Sequence, residues 1–288
     1  MQAVRYEAPS SVSEAIRLIQ ADPGASVLAG GTDLLVQCRS GFKQPTAFID
    51  IKRIPELSGI AIDALGLRLG AATCAAEIGE HRELKRRWPG LAEAVALIGS
   101  MQIQGRGSVG GNLCNASPAA DTPCALIVNR AECVIAGPSG ERTVAVEDFS
   151  TGPGRTVLTR GEFLVAVRIP HPAASTSDAY LRLTPRSEMD IAVVGAAVSL
   201  TFDAHGICTA ARVALAAVAP TPLLVPEAGR ALVGTRVNDE ALARAAAAAS
   251  AAARPIDDKR GTMTYRRQVA GVLTRRAAAI ACRRARGN

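Results

Sequence analysis

The stretch GRGSVGGNLCNASPAAD, residues 105–121, contains the pattern G-x-G-x-x-G at Gly105, Gly107 and Gly110. In a doubly wound sheet this dinucleotide fingerprint follows a strand, and a long helix opens on the glycines. The preceding run LIGSMQIQ could form a strand, but Pro118 and the small polar residues around it exclude a long helix starting at Gly110. We therefore predict a glycine-rich loop with many backbone N–H groups instead of a Rossmann fold.

A second glycine pair lies nearer the N-terminus, in the segment LAGGTDLL at residues 28–35. Gly30–Gly31 precedes Thr32, where we predict that a helix starts, and Gly110–Gly111 follows Ser108. Glycine permits positive φ, so successive N–H groups can converge on an anion. Two such segments in one domain suit a diphosphate that is held from both sides.

The composition is that of a folded protein with an excess of basic residues. The 288 residues are 48% hydrophobic and carry a net charge of +7, much of it in the C-terminal segment RRQVAGVLTRRAAAIACRRARGN. We interpret this segment as a solvated helix face, with a docking surface for another protein as the alternative. Nucleic acid is not an expected partner, because only 3% of the residues are aromatic and stacking needs aromatic side chains.

Neither a signal-peptide pattern nor an uninterrupted apolar stretch of about 18 residues occurs in the sequence. We therefore expect a cytoplasmic protein without a membrane span.

The cysteines and histidines do not form a metal-binding pattern. The seven cysteines are an odd number, widely spaced and without C-x-x-C, which argues against a disulfide scaffold, a zinc site or an iron–sulfur site. We predict that most of them are small buried side chains and that this chain holds no metal. The three histidines are scattered, and His171, between two prolines, is expected in a surface turn. No catalytic acid–base pair stands out.

The order of predicted elements indicates an α+β protein of two domains. Ser11 and Glu14 form a capping box at the start of a helix, and ECVIAG with RTVAV predicts a hairpin. Asp121 resembles an N-cap in front of a helix that contains Pro123. After a small-residue, Pro-containing linker, AYLRLTP, IAVVGAAVSLTFD and ICTAARVALAAVAP predict a three-stranded antiparallel sheet, followed by helices. The boundary is placed between residues 172 and 173.

Six stretches, in the same order and over nearly the whole chain, resemble one family. They are LAGGTDLLVQ (28–37), FIDIKRIPEL (48–57), GSVGGNLCNASPAADTP (107–123), TGPGRTVLTRGEFLVAVRIP (151–170), EMDIAVVGAAVSL (188–200) and YRRQVAGVLTRRA (265–277). Together they resemble the FAD-binding medium subunit of the molybdenum hydroxylases, the family of xanthine dehydrogenase and carbon monoxide dehydrogenase.

The resemblance implies a fold and a cofactor. Residues 1–172 would form an FAD-binding domain of the vanillyl-alcohol-oxidase (PCMH) type, with subdomains of about 1–54 and 55–172, and residues 173–288 a smaller C-terminal α+β domain. FAD would be bound without a covalent link. The residues that would hold its diphosphate are Leu28, Ala29, Gly30, Gly31, Thr32, Asp33, Leu34, Leu35, Ser108, Val109, Gly110, Gly111 and Asn112. Ser117 and Asp121 would reach the ribityl chain or adjacent polar groups, Asp190 would lie near the pyrimidine edge of the flavin, and Ile191 would lie against its ring.

The resemblance also implies partners. A small subunit with two [2Fe-2S] clusters would pass electrons to FAD, a large molybdopterin subunit would hydroxylate the substrate, and an external acceptor would take the electrons, in a dimer of heterotrimers. No four-iron insert is visible in this sequence, and an aliphatic Ile191 stands where some relatives carry tyrosine, which leaves the acceptor open. The alternatives are a self-sufficient FAD-dependent oxidase and a non-redox phosphate-binding module.

Overall fold

The computed structural model describes residues 4–287, in which three main β-sheets follow one another along the chain. The strands are β1 (Arg5–Glu7), β2 (Ser26–Leu28), β3 (Ala47–Asp50), β4 (Ile60–Asp63), β5 (Gly66–Gly70), β6 (Glu132–Gly137), β7 (Gly140–Ala145), β8 (Ser150–Gly152), β9 (Arg155–Thr156), β10 (Phe163–Ile169), β11 (Thr176–Leu183), β12 (Val194–Phe202), β13 (Cys208–Ala216) and β14 (Leu223–Leu224).

The helices surround these sheets and connect their strands. They are α1 (Val12–Ala21), α2 (Leu34–Arg39), α3 (Ala75–Glu80), α4 (Arg82–Arg87), α5 (Pro89–Ala96), α6 (Met101–Gln104), α7 (Val109–Asn115), α8 (Thr122–Val128), α9 (Val146–Phe149), α10 (Pro226–Arg230), α11 (Asp239–Ala252) and α12 (Met263–Ala285), with 3₁₀ turns at Ile51–Arg53 and Pro55–Leu57. Among residues 4–287, none of these helices is long and apolar enough to cross a membrane.

The first two sheets differ in strand direction. The first has the order β1-β3-β2 with both pairs parallel, and α1 packs against it. The second has the order β4-β5-β10-β6-β7 with all pairs antiparallel, and its core includes Trp88, Phe149 and the strand residues of β5 and β10. The α+β class is confirmed, and so is the ECVIAG–RTVAV hairpin, which is β6–β7.

The start of α1 shows how the local sequence sets an element boundary. The hydroxyl of Ser11 accepts from the amide of Glu14 at 3.2 Å, as a capping box requires. The Glu14 carboxylate accepts from the amide of Ser10 at 2.9 Å, one residue earlier than the capping box has it. The predicted cap is thus confirmed, and the return hydrogen bond is shifted by one residue.

Two predictions around the quoted glycines are wrong. The run LIGSMQIQ is not a strand, since its last four residues form α6. The segment after it is not a loop throughout, because α7 begins at Val109, with Gly110 and Gly111 in its first turn. Ser108 accounts for this start: its hydroxyl caps the amide of Gly111 at 3.0 Å and so stabilises a turn that glycine alone disfavours. The helix ends after seven residues, at left-handed Ala116, so the exclusion of a long helix holds.

The C-terminal sheet has one strand more than predicted. Its order is β11-β12-β13-β14, because Leu223–Leu224 adds a short antiparallel strand beside β13. The three long strands and the helices after them are confirmed, although β11 begins at Thr176, inside the predicted linker. The helices α10, α11 and α12 cover one face of this sheet and form its core with it.

The basic C-terminal segment is not simply a solvated face. Arg266 is 3% exposed and donates to the carbonyls of Val193 and Ala217 and to the carboxylate of Asp258. Arg284 forms an ion pair with Glu93. Several arginines of α12 therefore bind carbonyls and carboxylates of other parts of the chain, while others remain exposed.

His171 does not lie in a free surface turn. Its ring stacks on Trp88 with 6.2 Å between the ring centroids, and it contacts Arg87 at 2.9 Å and the carbonyl of Asp63 at 2.6 Å. Of the cysteines, Cys124, Cys133, Cys208 and Cys282 are buried, which confirms the prediction for the majority.

Candidate functional site

A cleft lies between the first and second sheets, with both glycine pairs in its walls. It encloses about 1050 Å³, including its open mouth. Ten of the predicted residues line it: Ala29, Gly30, Gly31, Thr32, Asp33, Leu34, Ser108, Gly110, Gly111 and Asn112. The tertiary structure thus brings two segments that are far apart in sequence to opposite sides of one space.

The first wall is the turn between β2 and α2. Gly31 has a φ of +76°, so this position needs glycine. The helix begins at Leu34, two residues later than predicted, and the Asp33 side chain forms no cap hydrogen bond. Within residues 4–287, the amides of Gly30, Gly31, Thr32 and Asp33 have no hydrogen-bond acceptor. Four consecutive donors are therefore available to a ligand that carries acceptor oxygens.

The two walls touch at Gly30. A Cβ atom at this position would lie 1.9 Å from the carbonyl oxygen of Arg106, so only glycine allows the segments to approach so closely. Gly110 likewise allows α7 to approach the residue after β5, because a Cβ atom at Gly110 would lie 2.4 Å from the carbonyl oxygen of Ala71. At Gly111 the nearest atom to an added Cβ is the Ser108 hydroxyl at 3.1 Å, and its backbone is helical. Space next to Gly111 is therefore open on the cleft side.

Side chains of α2, α7 and α8 fix the second wall. The amide of Gln37 in α2 donates to the side-chain oxygen of Asn115 in α7 at 2.9 Å. The side-chain oxygen of Asn112 accepts from the hydroxyl of Thr122 at 2.6 Å. The first bond couples the two glycine segments, and the second joins α7 to α8. The amide group of Asn112 remains available as a donor.

The charges around the cleft are of both signs. Partial burial raises the pKa of Asp33, and Lys43 opposes this shift. Hydrogen bonds from Arg142 outweigh the burial of Glu162 and lower its pKa to about 2, so this carboxylate at the cleft wall is ionised. Cys114 also lines the cleft and is exposed there.

Three of the predicted residues support the walls without lining them. Leu28 and Val109 are buried beside the glycine pairs, and Leu35 is exposed on α2 with its side chain next to Gly31. Ser117 lies beyond α7, where its hydroxyl accepts from the amide of Ala119 at 3.3 Å.

Asp121 is occupied by partners from the C-terminal sheet. Its carboxylate accepts from the Tyr180 hydroxyl at 2.7 Å and pairs with Arg182 at 2.7 Å, and its side chain makes no N-cap hydrogen bond. Asp121 thus stands at the N-cap position of α8 as predicted, with Pro123 in the first turn, but its side chain is turned to Tyr180 and Arg182 and does not cap the helix. Burial raises the pKa of Asp121, against the opposing effect of Arg182 and Tyr180. The two partners hold the end of the quoted stretch against the C-terminal domain.

Asp190 and Ile191 lie on a loop between β11 and β12, outside the residues that line the cleft. The amide of Met189 on this loop donates to the carbonyl of Gly99, next to Ile98 of the cleft wall. Asp190 accepts from the amide of Ile191 at 2.8 Å and pairs with Arg260 at 3.3 Å, and its pKa is lowered by these contacts. Ile191 is 52% exposed. The loop therefore stands beside the cleft and presents an apolar side chain to the surface.

Several cleft residues were missed by the sequence reasoning. They are Ser26, Val27, Gln37, Lys43, Ile51, Ala71, Ile98, Gly107, Cys114, Asn115, Leu158, Glu162, Phe163 and Leu164. Gly107, Cys114 and Asn115 fall within the quoted stretch, and Gln37 lies in the helix that follows the first glycine pair, so the local pattern could have pointed to these four. The others lie on strands and loops whose approach to the cleft has no local signal.

The cleft can bind an elongated ligand that carries anionic oxygens at its centre. Amide donors of the first wall are available to these oxygens, and the small residues of the second wall leave room for them. Among residues 4–287, no group of three or more His, Cys, Asp or Glu side chains is placed to hold a metal ion.

Two family models match the chain. The first, described as an FAD binding domain in molybdopterin dehydrogenase, matches residues 2–172, and the second, described as a CO dehydrogenase flavoprotein C-terminal domain, matches residues 179–281.

Among curated proteins, the carbon monoxide dehydrogenase medium chain of Hydrogenophaga pseudoflava is 38% identical over 274 residues, 94% of either chain. A xanthine dehydrogenase FAD-binding subunit from Escherichia coli is 32% identical over 239 residues, 82% of either chain.

A solved structure of carbon monoxide dehydrogenase from Hydrogenophaga pseudoflava, lacking the Mo-pyranopterin moiety of the molybdenum cofactor, has a chain that superposes with a TM-score of 0.93. It is 38% identical, and the match covers 98% of both chains. With the family models and the relatives, this likeness in fold and sequence shows that the chain belongs to the family of FAD-binding medium subunits of carbon monoxide dehydrogenase and xanthine dehydrogenase.

Proposed function

We propose that this chain is the electron-transfer subunit of a molybdenum hydroxylase and that the cleft holds the diphosphate of one FAD. The observation that carries the proposal is the row of unpartnered amides at Gly30–Asp33, which faces a cleft whose other wall is α7. Backbone donors suit a diphosphate, because they bind its oxygens without a counter-charge that must itself be desolvated.

The proposed contacts follow the two walls. Residues 28–35 grip the diphosphate from one side and Ser108–Asn112 from the other, while Ser117 and Asp121 lie toward the ribityl chain. Asp190 and Ile191 lie toward the flavin ring. The hydrogen bond from Met189 to Gly99 supports this last assignment, because it keeps the loop next to the cleft wall.

We propose that FAD is bound without a covalent link. A covalent link would need a cysteine or histidine at the flavin ring, whereas no histidine among residues 4–287 lines the cleft and Cys114 lies in the glycine wall that we assign to the diphosphate. Acid precipitation of the purified protein should therefore release the flavin into the supernatant. Yellow colour that remains in the washed precipitate would contradict this.

When bound, FAD supplies the redox chemistry of the subunit, and this chain binds and orients it. The proposal includes two partner subunits. A small subunit with two [2Fe-2S] clusters donates electrons to FAD, and a large molybdopterin subunit hydroxylates the substrate. An external acceptor then takes the electrons from FAD. The proposed assembly is a cytoplasmic dimer of heterotrimers.

The proposed domain boundaries are 1–172 and 173–288, with a division of the first domain near residue 54. The succession of sheets supports them, since the first uses residues 5–50, the second residues 60–169 and the third residues 176–224.

Reconstitution tests the function. Substrate-dependent reduction of dyes and of physiological acceptors is measured for this chain alone, for the two partners together and for all three. We expect that reduction of the physiological acceptor requires all three chains, while an artificial dye can accept electrons from the partners alone.

Robust substrate turnover by this chain alone would overturn the electron-transfer role and favour a self-sufficient oxidase. Purified chain that binds no FAD would overturn the proposed site itself.

A further inference from the structure

Lys52 holds the outer side of the first glycine turn. Its ammonium group donates to the carbonyl oxygen of Ala29 at 2.9 Å and to the carboxylate of Asp50 at 2.7 Å. Asp50 is 6% exposed and also accepts from the Tyr6 hydroxyl at 2.6 Å. Burial alone would raise the pKa of Asp50, but the hydrogen bonds from Lys52 and Tyr6 outweigh burial and lower this pKa. The carboxylate of Asp50 therefore stays charged beside Lys52.

The contact to Ala29 determines how the next amide points. The carbonyl of Ala29 and the N–H of Gly30 belong to one peptide group, and in a trans peptide they point in opposite directions. Within residues 4–287 there is no cis peptide bond. A carbonyl that is held toward Lys52 therefore turns the Gly30 N–H to the other side of the chain.

Gly30 is poorly suited to hold this orientation by itself. It has no side chain, and it is the first of the four amides without an acceptor in the described part of the chain. A glycine peptide rotates more freely than any other, so an unrestrained turn would lose its alignment before a ligand arrives. The Lys52 ammonium supplies a charge-assisted hydrogen bond, the stronger class of such bonds, at that peptide.

Lys52 itself is not among the residues that line the cleft, although the Ala29 and Gly30 that it controls are. Its charge is also neutralised by Asp50, at 2.7 Å. Both observations argue against Lys52 as a direct ligand of the diphosphate.

We propose that Lys52 is a positioning residue for FAD: it holds the Ala29–Gly30 peptide, through the Ala29 carbonyl, with the Gly30 amide directed at the diphosphate. This inference rests on the proposed FAD site. Asp50 and Tyr6 are the supports that keep the ammonium group in place.

The test compares four forms of the full chain: wild type, Lys52→Met, Lys52→Arg and Arg53→Met. Arg53 is the exposed neighbour of Lys52, so Arg53→Met removes a positive charge without touching Ala29. Dissociation constants are measured for FAD, by flavin fluorescence, and for ADP, by competition, because ADP carries the same diphosphate. Circular dichroism and thermal unfolding check that each form is folded.

We expect Lys52→Met to weaken both FAD and ADP about tenfold and by the same factor, as loss of a charged hydrogen bond implies. Arg53→Met should stay within about twofold of wild type, and Lys52→Arg, which keeps a charged donor, should recover most of the loss. If Lys52→Met fails to fold, Asp50→Asn is measured in its place. We expect a smaller loss of FAD and ADP affinity in Asp50→Asn, because the ammonium group of Lys52 loses its ion pair but is still present.

Hydrogen exchange separates positioning from general loosening. In FAD-saturated Lys52→Met, protection should fall at residues 29–33 and stay at the wild-type level in α7. Wild-type affinity in both Lys52→Met and Asp50→Asn, or a loss of protection of equal size in α7, would overturn the positioning role while leaving the FAD site intact. Wild-type protein that binds neither FAD nor ADP would overturn the proposed site, and the positioning role with it.

Discussion

The carboxylate of Asp178, in β11, accepts a 2.9 Å hydrogen bond from the backbone amide of Gly90, at the start of α5. The approach is so close that a Cβ atom at Gly90 would lie 2.7 Å from this carboxylate. Asn129 donates to the second oxygen at 2.6 Å. One buried acid of the C-terminal sheet thus joins two helical segments of the FAD-binding part of the chain.

This contact predicts a pH dependence of stability. Burial is the main cause that raises the pKa of Asp178 to about 6, with Glu93 acting in the same direction and Gly90, Asn129 and Arg284 opposing it. The folded protein therefore binds more protons than the unfolded chain between about pH 4 and pH 6, so this group makes the free energy of unfolding fall as pH rises through that window.

Asp178→Asn removes this titration. We expect its free energy of unfolding, relative to wild type, to increase by roughly 3 kcal/mol at most between pH 4 and pH 6.5. Urea unfolding of both proteins at pH 4, 5, 6 and 6.5 measures the difference. A constant offset between the two curves would contradict the prediction.

Gly110 and Gly111 are neighbours in α7, and substitutions there should affect different properties, the stability of the apoprotein at Gly110 and FAD binding at Gly111. Gly111→Ala adds a methyl group that meets only the Ser108 hydroxyl, at 3.1 Å, and its gain in helix propensity, at most about 1 kcal/mol, offsets that tight contact, so the apoprotein should keep about wild-type stability but bind FAD more weakly. Gly111→Val should abolish binding, by crowding the cleft and not by backbone strain, because this φ is helical.

Gly110→Ala is the matched control for these variants. Its methyl group would meet the carbonyl of Ala71, so the apoprotein itself should be destabilised. Thermal unfolding of apoprotein and flavin titration distinguish the two positions. Full flavin affinity in Gly111→Val would show that α7 does not face the ligand.

Arg182 and Asp121 form an ion pair whose side chains are only 6% and 8% exposed. Arg182→Met leaves the carboxylate buried with the Tyr180 hydroxyl as its remaining donor, so we expect a loss of roughly 3 kcal/mol in the free energy of unfolding. Urea unfolding at pH 7 measures it.

The surface pair of Arg230 and Glu227 provides the comparison, since its side chains are 68% and 61% exposed. Arg230→Met should cost less than about 1 kcal/mol. Losses of similar size in the two variants would mean that the Asp121 carboxylate is rehydrated when its partner is removed.

Asp190→Ala should retain most of the FAD but shift the flavin absorbance and reduction potential. The residue lies on the loop beside the cleft, away from the two glycine walls, so its removal acts on the ring environment more than on anchoring. Because Arg260 and Arg186 pair with this carboxylate, the variant also frees positive charge near the ring. Spectra and potentials identical to wild type would place Asp190 away from the flavin.

Elements with a local signal could be predicted from the sequence. Ser11 and Glu14 predict the start of α1, the turn PSGE predicts the β6–β7 hairpin, and apolar periodicity predicts β11 to β13. These features can be predicted because caps, turns and periodicity depend on residues only a few positions apart. Short apolar runs gave no such signal: LIGSMQIQ suits a strand or a helix equally, and in the folded chain its last four residues form α6.

The sequence by itself determined the two glycine segments, the α+β class and the family to which the chain belongs. Only the tertiary structure decided that Gly30 touches the carbonyl of Arg106, that Arg182 reaches Asp121 61 residues away, and that Lys52 holds the Ala29 carbonyl. The physical reason is the range of the forces: backbone conformation and capping depend on near neighbours, whereas close approach, burial and the pairing of charges depend on which distant segments the packed sheets bring together.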